Sequence, residues 1–269
     1  MASPRIAFFG SPRFAVPSLR RLLSEGYEVV AAVAQPDRPR GRGQKLPPGA
    51  VKAEAVSCGV RVLQPERLRD EAFLGELAAL GPDLGVVAAY GKILPAAVLR
   101  TPRLGLLNVH ASLLPRWRGA SPIHRAVMAG DDETGISIMR VVAALDAGPV
   151  LETIHRPIGP DETSEEVERD LASMGADLLV VAIESLLRGD ARETPQDESR
   201  ATYAPLLRKE EGSIRWEQDA AAIHNQVRGL QPWPRAFPTL RGARVIVHRT
   251  TSDTRPAEPG GEGSAPRPG

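Results

Sequence analysis

Short apolar runs alternate with helix-spaced segments through the first two-thirds of the chain, and this alternation restricts the fold more than any other feature. Ile6 to Phe9 is apolar and runs into the turn Gly10-Ser11-Pro12. Val16, Leu19, Leu22 and Leu23 then recur at helical steps and stop at Gly26, a residue that readily takes the left-handed conformation ending a helix. Glu28 to Ala34, Leu84 to Ala89 and Leu104 to His110 read as further strands, with helices predicted over Val51 to Ser57, Glu71 to Leu80 and Pro122 to Ala129. The run from Leu84 to Ala89 is uninterrupted, as in a strand covered on both faces. Gly135 to Met139 and Val150 to Ile154 add strand-like pieces. A long amphipathic helix follows between Glu162 and Leu187, with Gly189 as its stop. The pattern predicts an α/β fold: a doubly wound, mostly parallel sheet whose sites lie beyond the carboxyl ends of its strands.

This body is predicted to occupy residues 1–189. Asp190 to Arg200 is polar and aperiodic, which predicts a linker over 190–204. A smaller unit over 205–249 would hold a helix from Ala220 to Arg228 and strands at Phe237 to Thr239 and Val245 to His248. Residues 250–269 contain no Val, Ile, Leu or aromatic side chain and are crowded with Pro and Gly, so a disordered tail is expected. The whole chain is 42% hydrophobic and 25% charged, which excludes global disorder. No apolar run approaches the ~18 residues of a membrane helix, and the N-terminus carries no apolar signal core. A cytoplasmic protein without membrane contact is expected, acting as a monomer. Cys58 is the single cysteine and is read as a small buried hydrophobe. The net charge is +1, and 30 of the 34 cations are arginine, so charge balance alone points to no polyanionic partner.

Chemistry concentrates in Leu107-Asn108-Val109-His110. Asn108 and His110 are two apart on a strand, so their side chains share a face. A carboxamide N–H can bind a developing oxyanion, and an imidazole can move protons near neutral pH. Asp146, an isolated carboxylate before Gly148, is the candidate to set the imidazole. The alternative is two satisfied polar groups at a strand end with Asp146 as a turn former. Beyond His110, Ser112 to Gly119 brings two leucines and Trp117, which would either bound a flat pocket or pack beneath a loop. Gly10-Ser11-Pro12-Arg13-Phe14 lacks the glycines of a dinucleotide fingerprint, and the five histidines have no metal-ligand spacing, so no metal is expected. Gln35 to Lys45 carries Arg38, Arg40, Arg42 and Lys45 against Asp37 alone, which suits either a phosphate backbone or a solvated surface. Residues 220–252 include five arginines and no acid, the composition of a basic face.

Taken together, several segments resemble the methionyl-tRNA formyltransferase family. They are Gly10-Ser11-Pro12-Arg13-Phe14-Ala15, Gln35-Pro36-Asp37-Arg38-Pro39 with Gly41-Arg42-Gly43, Ala89-Tyr90-Gly91 with Ile93-Leu94-Pro95, and Asn108 through Gly119 into Pro122-Ile123. Asp131 to Ile138, Leu145-Asp146, Tyr203-Ala204, Ile214-Arg215-Trp216 and Pro232-Trp233-Pro234 extend the match in order over residues 5–249. The resemblance implies that Asn108, His110 and Asp146 are catalytic and that Ser112, Leu113, Leu114 and Pro115 bind folate. It also implies that Arg38, Arg40, Arg42 and Lys45 meet tRNA. The implied donor is 10-formyltetrahydrofolate, and the implied acceptor is the amine of methionyl initiator tRNA. Around Asp146 the chain departs from the family pattern at Val142, Ala144, Ala147 and Pro149. The family's second domain is a β-barrel longer than residues 205–249 supply, so a truncated, partial barrel is expected. Two rival readings follow. One is a formyl transferase or hydrolase acting on a small-molecule amine or water. The other is a catalytically impaired tRNA-binding protein.

Overall fold

The computed structural model describes residues 3–37 and 48–251. The alternation of apolar and helical segments becomes a regular order. β1 (Arg5–Gly10), α1 (Val16–Ser24), β2 (Glu28–Val33), α2 (Ala50–Ser57), β3 (Val62–Leu63), α3 (Glu71–Ala79), β4 (Leu84–Ala88), α4 (Ala96–Leu99) and β5 (Leu106–His110) make the first half. β6 (Arg118–Gly119), α5 (Pro122–Ala129), β7 (Glu133–Arg140), β8 (Val150–Pro157) and α6 (Ser164–Arg188) complete the body. β9 (Tyr203–Ala204), α7 (Ala220–Gly229), β10 (Thr239–Leu240) and β11 (Ala243–Arg244) follow.

Seven strands form one sheet in the order β3-β2-β1-β4-β5-β7-β8. The first five are parallel, because each is joined to the next by a crossover that holds a helix. β7 and β8 pair antiparallel at the far edge. Ile6, Phe8, Leu107 and Val109 pack against the helices of one face, while Ala7, Phe9, Val33 and Leu106 pack with Phe73 and Leu77 of α3 on the other. Burial on both faces is why β4 reads as an unbroken apolar run.

α6 begins on a capping box: Thr163 Oγ1 accepts from the Glu166 amide, and the Glu166 carboxylate accepts from the Thr163 amide. Its Gly175 lies on the sheet so closely that a Cβ would come within 2.7 Å of Val109 Cγ1. A bulkier residue there would push the helix off the strand that carries Asn108 and His110.

Three expectations are corrected. Cys58 is exposed: its spacing from buried Val51 and Ala55 would put it on the core face, but α2 ends at Ser57 and the chain turns away at Cys58, beside Glu54 and Ser57. The late strands are offset from Phe237–Thr239 and Val245–His248: the hairpin is β10–β11, with an isolated bridge between Ala236 and Val247. The acid-free stretch loses one arginine from its expected basic face. Arg228 turns inward and donates to the carbonyls of Gly159 and Glu162, and Arg244 lies over the Phe237 ring at 3.5 Å. Residues 252–269, most of the expected tail, lie outside the described residues.

Candidate active site

His110 ends β5, at the carboxyl edge of the parallel part of the sheet. It is buried, whereas Asn108, on the same face, is half-buried. His110 Nε2 lies 3.0 Å from the Trp117 carbonyl oxygen. That oxygen only accepts, so the hydrogen bond assigns a proton to Nε2. Nδ1 faces Asp146 Oδ2 at 3.7 Å, beyond direct hydrogen-bond range. Among the described residues the Asn108 carboxamide has no hydrogen-bond partner, which leaves its N–H donors uncommitted to any of them.

Asp146 reaches this place by an indirect route. It sits in the loop between β7 and β8, and β7 runs antiparallel to β5. The loop therefore leaves the sheet at Val141, whose amide donates to the Leu106 carbonyl. That level is four residues before His110, about 13 Å at roughly 3.3 Å per strand residue. The loop must fold back over the face of the sheet to bring the carboxylate to the imidazole. Two features show the constraint. Asp146 has φ +45°, a left-handed conformation unusual for a residue with a side chain. At Gly148, a Cβ would stand 1.9 Å from the Arg140 carbonyl oxygen, so only glycine fits. The carboxylate is then held by the Gly119 amide, which donates to Asp146 Oδ2 at 2.8 Å.

The loop after β5 is fixed with equal care. The Ser137 hydroxyl accepts from the Leu114 amide and donates to the Ser112 carbonyl. Ser112 is buried, and its hydroxyl donates to the Arg116 carbonyl. Leu113, Leu114 and Pro115 are half-buried, with a cis bond between the last two. Trp117 Nε1 donates to Asp131 at 2.7 Å, and Arg116 pairs with the same carboxylate. Beside Asp146, Leu145 is 55% exposed and Val142 is 41% exposed, so apolar surface adjoins the cluster.

The structure thus brings Asn108, His110 and Asp146 together and sets Ser112 to Pro115 directly after His110. Arg38, Arg40, Arg42 and Lys45 lie outside the described residues. The ends of their segment are joined: Asp37 accepts from the Gly49 amide, Gln64 and Lys52, and the neighbouring Lys52 ammonium holds the Asp37 carboxyl below the usual carboxylate range. Sequence reasoning missed Gln196, whose Nε2 donates to the carbonyls of Asp146 and Gly148. It also missed the part played by Arg118, buried and ion-paired to Glu198.

A family profile described as formyl transferase matches residues 4–183, and one described as formyl transferase, C-terminal domain, matches residues 206–266. The chain belongs to the formyl transferase family. Among its relatives in that family is a methionyl-tRNA formyltransferase of Moorella thermoacetica, 49% identical over 91% of this chain and 78% of that protein. Another, of Pseudomonas putida strain GB-1, is 50% identical over 95% of this chain and 83% of the relative. An N-formyltransferase from Helicobacter canadensis, solved in complex with folinic acid and dTDP-3-aminofucose, superposes with a TM-score of 0.68. At 17% identity, over 90% of this chain and 86% of that one, it shows that the formyl transferase fold is shared.

Proposed function

We propose that this chain transfers a formyl group from 10-formyltetrahydrofolate to the free amino group of methionyl initiator tRNA, the step that prepares the initiator for translation. The observation that carries the reading is the convergence of Asn108, His110 and Asp146 in a formyl transferase whose relatives at 49% and 50% identity are methionyl-tRNA formyltransferases. The chemistry is assigned to this cluster, acting in a monomer in the cytoplasm. Among the described residues, no helix is long and apolar enough to cross a membrane.

The donor supplies an activated one-carbon acyl group. Apolar Leu113, Leu114, Pro115, Val142 and Leu145 suit the flat body of a folate, and their partial exposure leaves surface to cover. Ser112 is fully buried with its hydroxyl and carbonyl already used, so it would contribute by holding the loop that carries Leu113, Leu114 and Pro115. When the amine attacks the formyl carbon, negative charge grows on the formyl oxygen. The uncommitted Asn108 N–H donors stabilise that charge. His110 is oriented by the Trp117 carbonyl through Nε2, so Nδ1 is the nitrogen left to take the proton shed by the attacking amine and return it to the folate nitrogen as that nitrogen's bond to the formyl carbon breaks. Asp146 lies on that side and stabilises the ring when it is charged. Arg38, Arg40, Arg42 and Lys45 are proposed to follow the tRNA phosphates.

The test supplies labelled 10-formyltetrahydrofolate together with methionyl initiator tRNA or an amino-sugar nucleotide. Label is expected in the tRNA, with tRNA binding that weakens steeply as salt rises. Label that appears only in the amino sugar or as free formate would overturn the reading.

A further inference from the structure

We propose that Gln196 is a positioning residue for Asp146, and that residues 194–204 form a strut that keeps the β7–β8 loop folded over the site. The loop needs an outside hold. It begins level with Leu106, runs back toward His110 and passes through the left-handed Asp146. The Asp146 carboxylate is committed to Gly119, so the backbone must be held by something else.

Gln196 supplies that hold. Its Nε2 donates to the Asp146 carbonyl at 2.8 Å and to the Gly148 carbonyl at 2.7 Å. Its Oε1 accepts from Arg118 Nε at 3.0 Å and Nη2 at 2.8 Å. A guanidinium only donates and a carbonyl only accepts, so the carboxamide has a single orientation that satisfies both sides. A glutamate could serve Arg118 but not the carbonyls. Arg118 is 2% exposed and is itself fixed by Glu198 at 2.7 and 2.9 Å.

The same strut reaches both partners of the catalytic pair. Arg118 stands between Trp117, whose carbonyl orients His110, and Gly119, whose amide holds Asp146. Thr202 Oγ1 accepts from the Trp117 amide, the Thr202 carbonyl accepts from the Arg118 amide, and the Ala204 carbonyl accepts from the Ala120 amide. Thr194 pairs with Val150 at the far end of the loop. One segment of chain therefore braces both loops that meet at His110. It is also the segment from which residues 205–251 continue.

The catalytic part of the test rests on the proposed formyl transfer. Q196E keeps the bond to Arg118 but places an oxygen against two carbonyl oxygens, and Q196M removes both functions. Each is expected to lower kcat by about 10- to 100-fold, the scale of a slightly misplaced catalytic group, with KM for both substrates within about twofold. If Gln196 acts through Asp146, the double variant Q196E/D146N will be no slower than D146N alone, whereas a general structural defect would add to it. A second readout needs no activity. Exchange of the Gly119 amide, which donates to Asp146, should quicken by about tenfold in Q196E while the Val109 amide stays protected. Loss of formyl transfer in the wild type together with faster Gly119 exchange in the variant would overturn the functional reading and sustain the positioning role. Unchanged Gly119 exchange with unchanged kcat, or additive losses in the double variant, would overturn the positioning role.

Discussion

Residues 5–188 bury apolar side chains on both faces of a seven-stranded sheet, whereas between Pro205 and Thr251 the apolar cluster reduces to Ile214, Val227 and Ala236. The second region is joined to the first by the packing of α7 on α5, where Gly229 lies against Met128, and by a set of polar groups. Arg125 donates to the Pro205 carbonyl and pairs with Glu211. The Ser164 hydroxyl donates to the Gly229 carbonyl, and buried Arg228 donates to the carbonyls of Gly159 and Glu162. The His224 imidazole meets the Pro160 carbonyl. Directional bonds of this kind fix an orientation with little net gain in stability, while the apolar body gains from every buried methylene. The body, with residues 194–204 braced across it, therefore carries the site, and release of the smaller later region is expected to leave the sheet folded.

Changes in the two regions should differ in reach. Phe8→Ala empties a fully buried position in the body and should cost about 3–5 kcal/mol, seen as a shift of the whole denaturation curve. Arg228→Leu leaves the carbonyls of Gly159 and Glu162 without their donor and should cost about 1–3 kcal/mol, confined to the docked region. Hydrogen exchange would then rise in α7 and not in β5; a uniform rise would erase the distinction between the regions. The smallest effect concerns pH. Arg125 holds the Glu211 carboxyl below the usual range, so its contribution is complete above the ordinary glutamate value of about 4.3 and is lost as pH falls through the lower folded value. The NMR signals of α7 should weaken on acidification below about pH 4. In Glu211→Gln that pH dependence should flatten, and an unchanged profile would remove Glu211 from the docking contact.

Local rules of sequence read the body well because its elements are specified locally. Proline at the first turn and Gly130 at the end bracket α5, and period-two spacing sets Asn108 and His110 on one face. Asp146 was legible as a lone carboxylate in an apolar stretch, but its left-handed backbone and the long return of its loop were not. Gln196 was hidden in a polar, aperiodic segment. Its meaning arises only when Arg118, 78 positions away, and the Asp146 carbonyl, 50 positions away, converge on one carboxamide. Arg228 misled for the same reason: composition shows a cation but not which way it points. Cys58 turned outward because α2 ends at Ser57, so helical spacing no longer sets its direction.

The cluster of Asn108, His110 and Asp146 is proposed to perform formyl transfer. That role is tested most directly by the single-turnover rate of formyl transfer to methionyl initiator tRNA in the wild type and in His110→Ala, with denaturation curves for both. Transfer by the wild type is expected, with a loss of about 10²- to 10⁴-fold in a variant that remains folded. A folded His110→Ala protein that transfers the formyl group at the wild-type rate would contradict it.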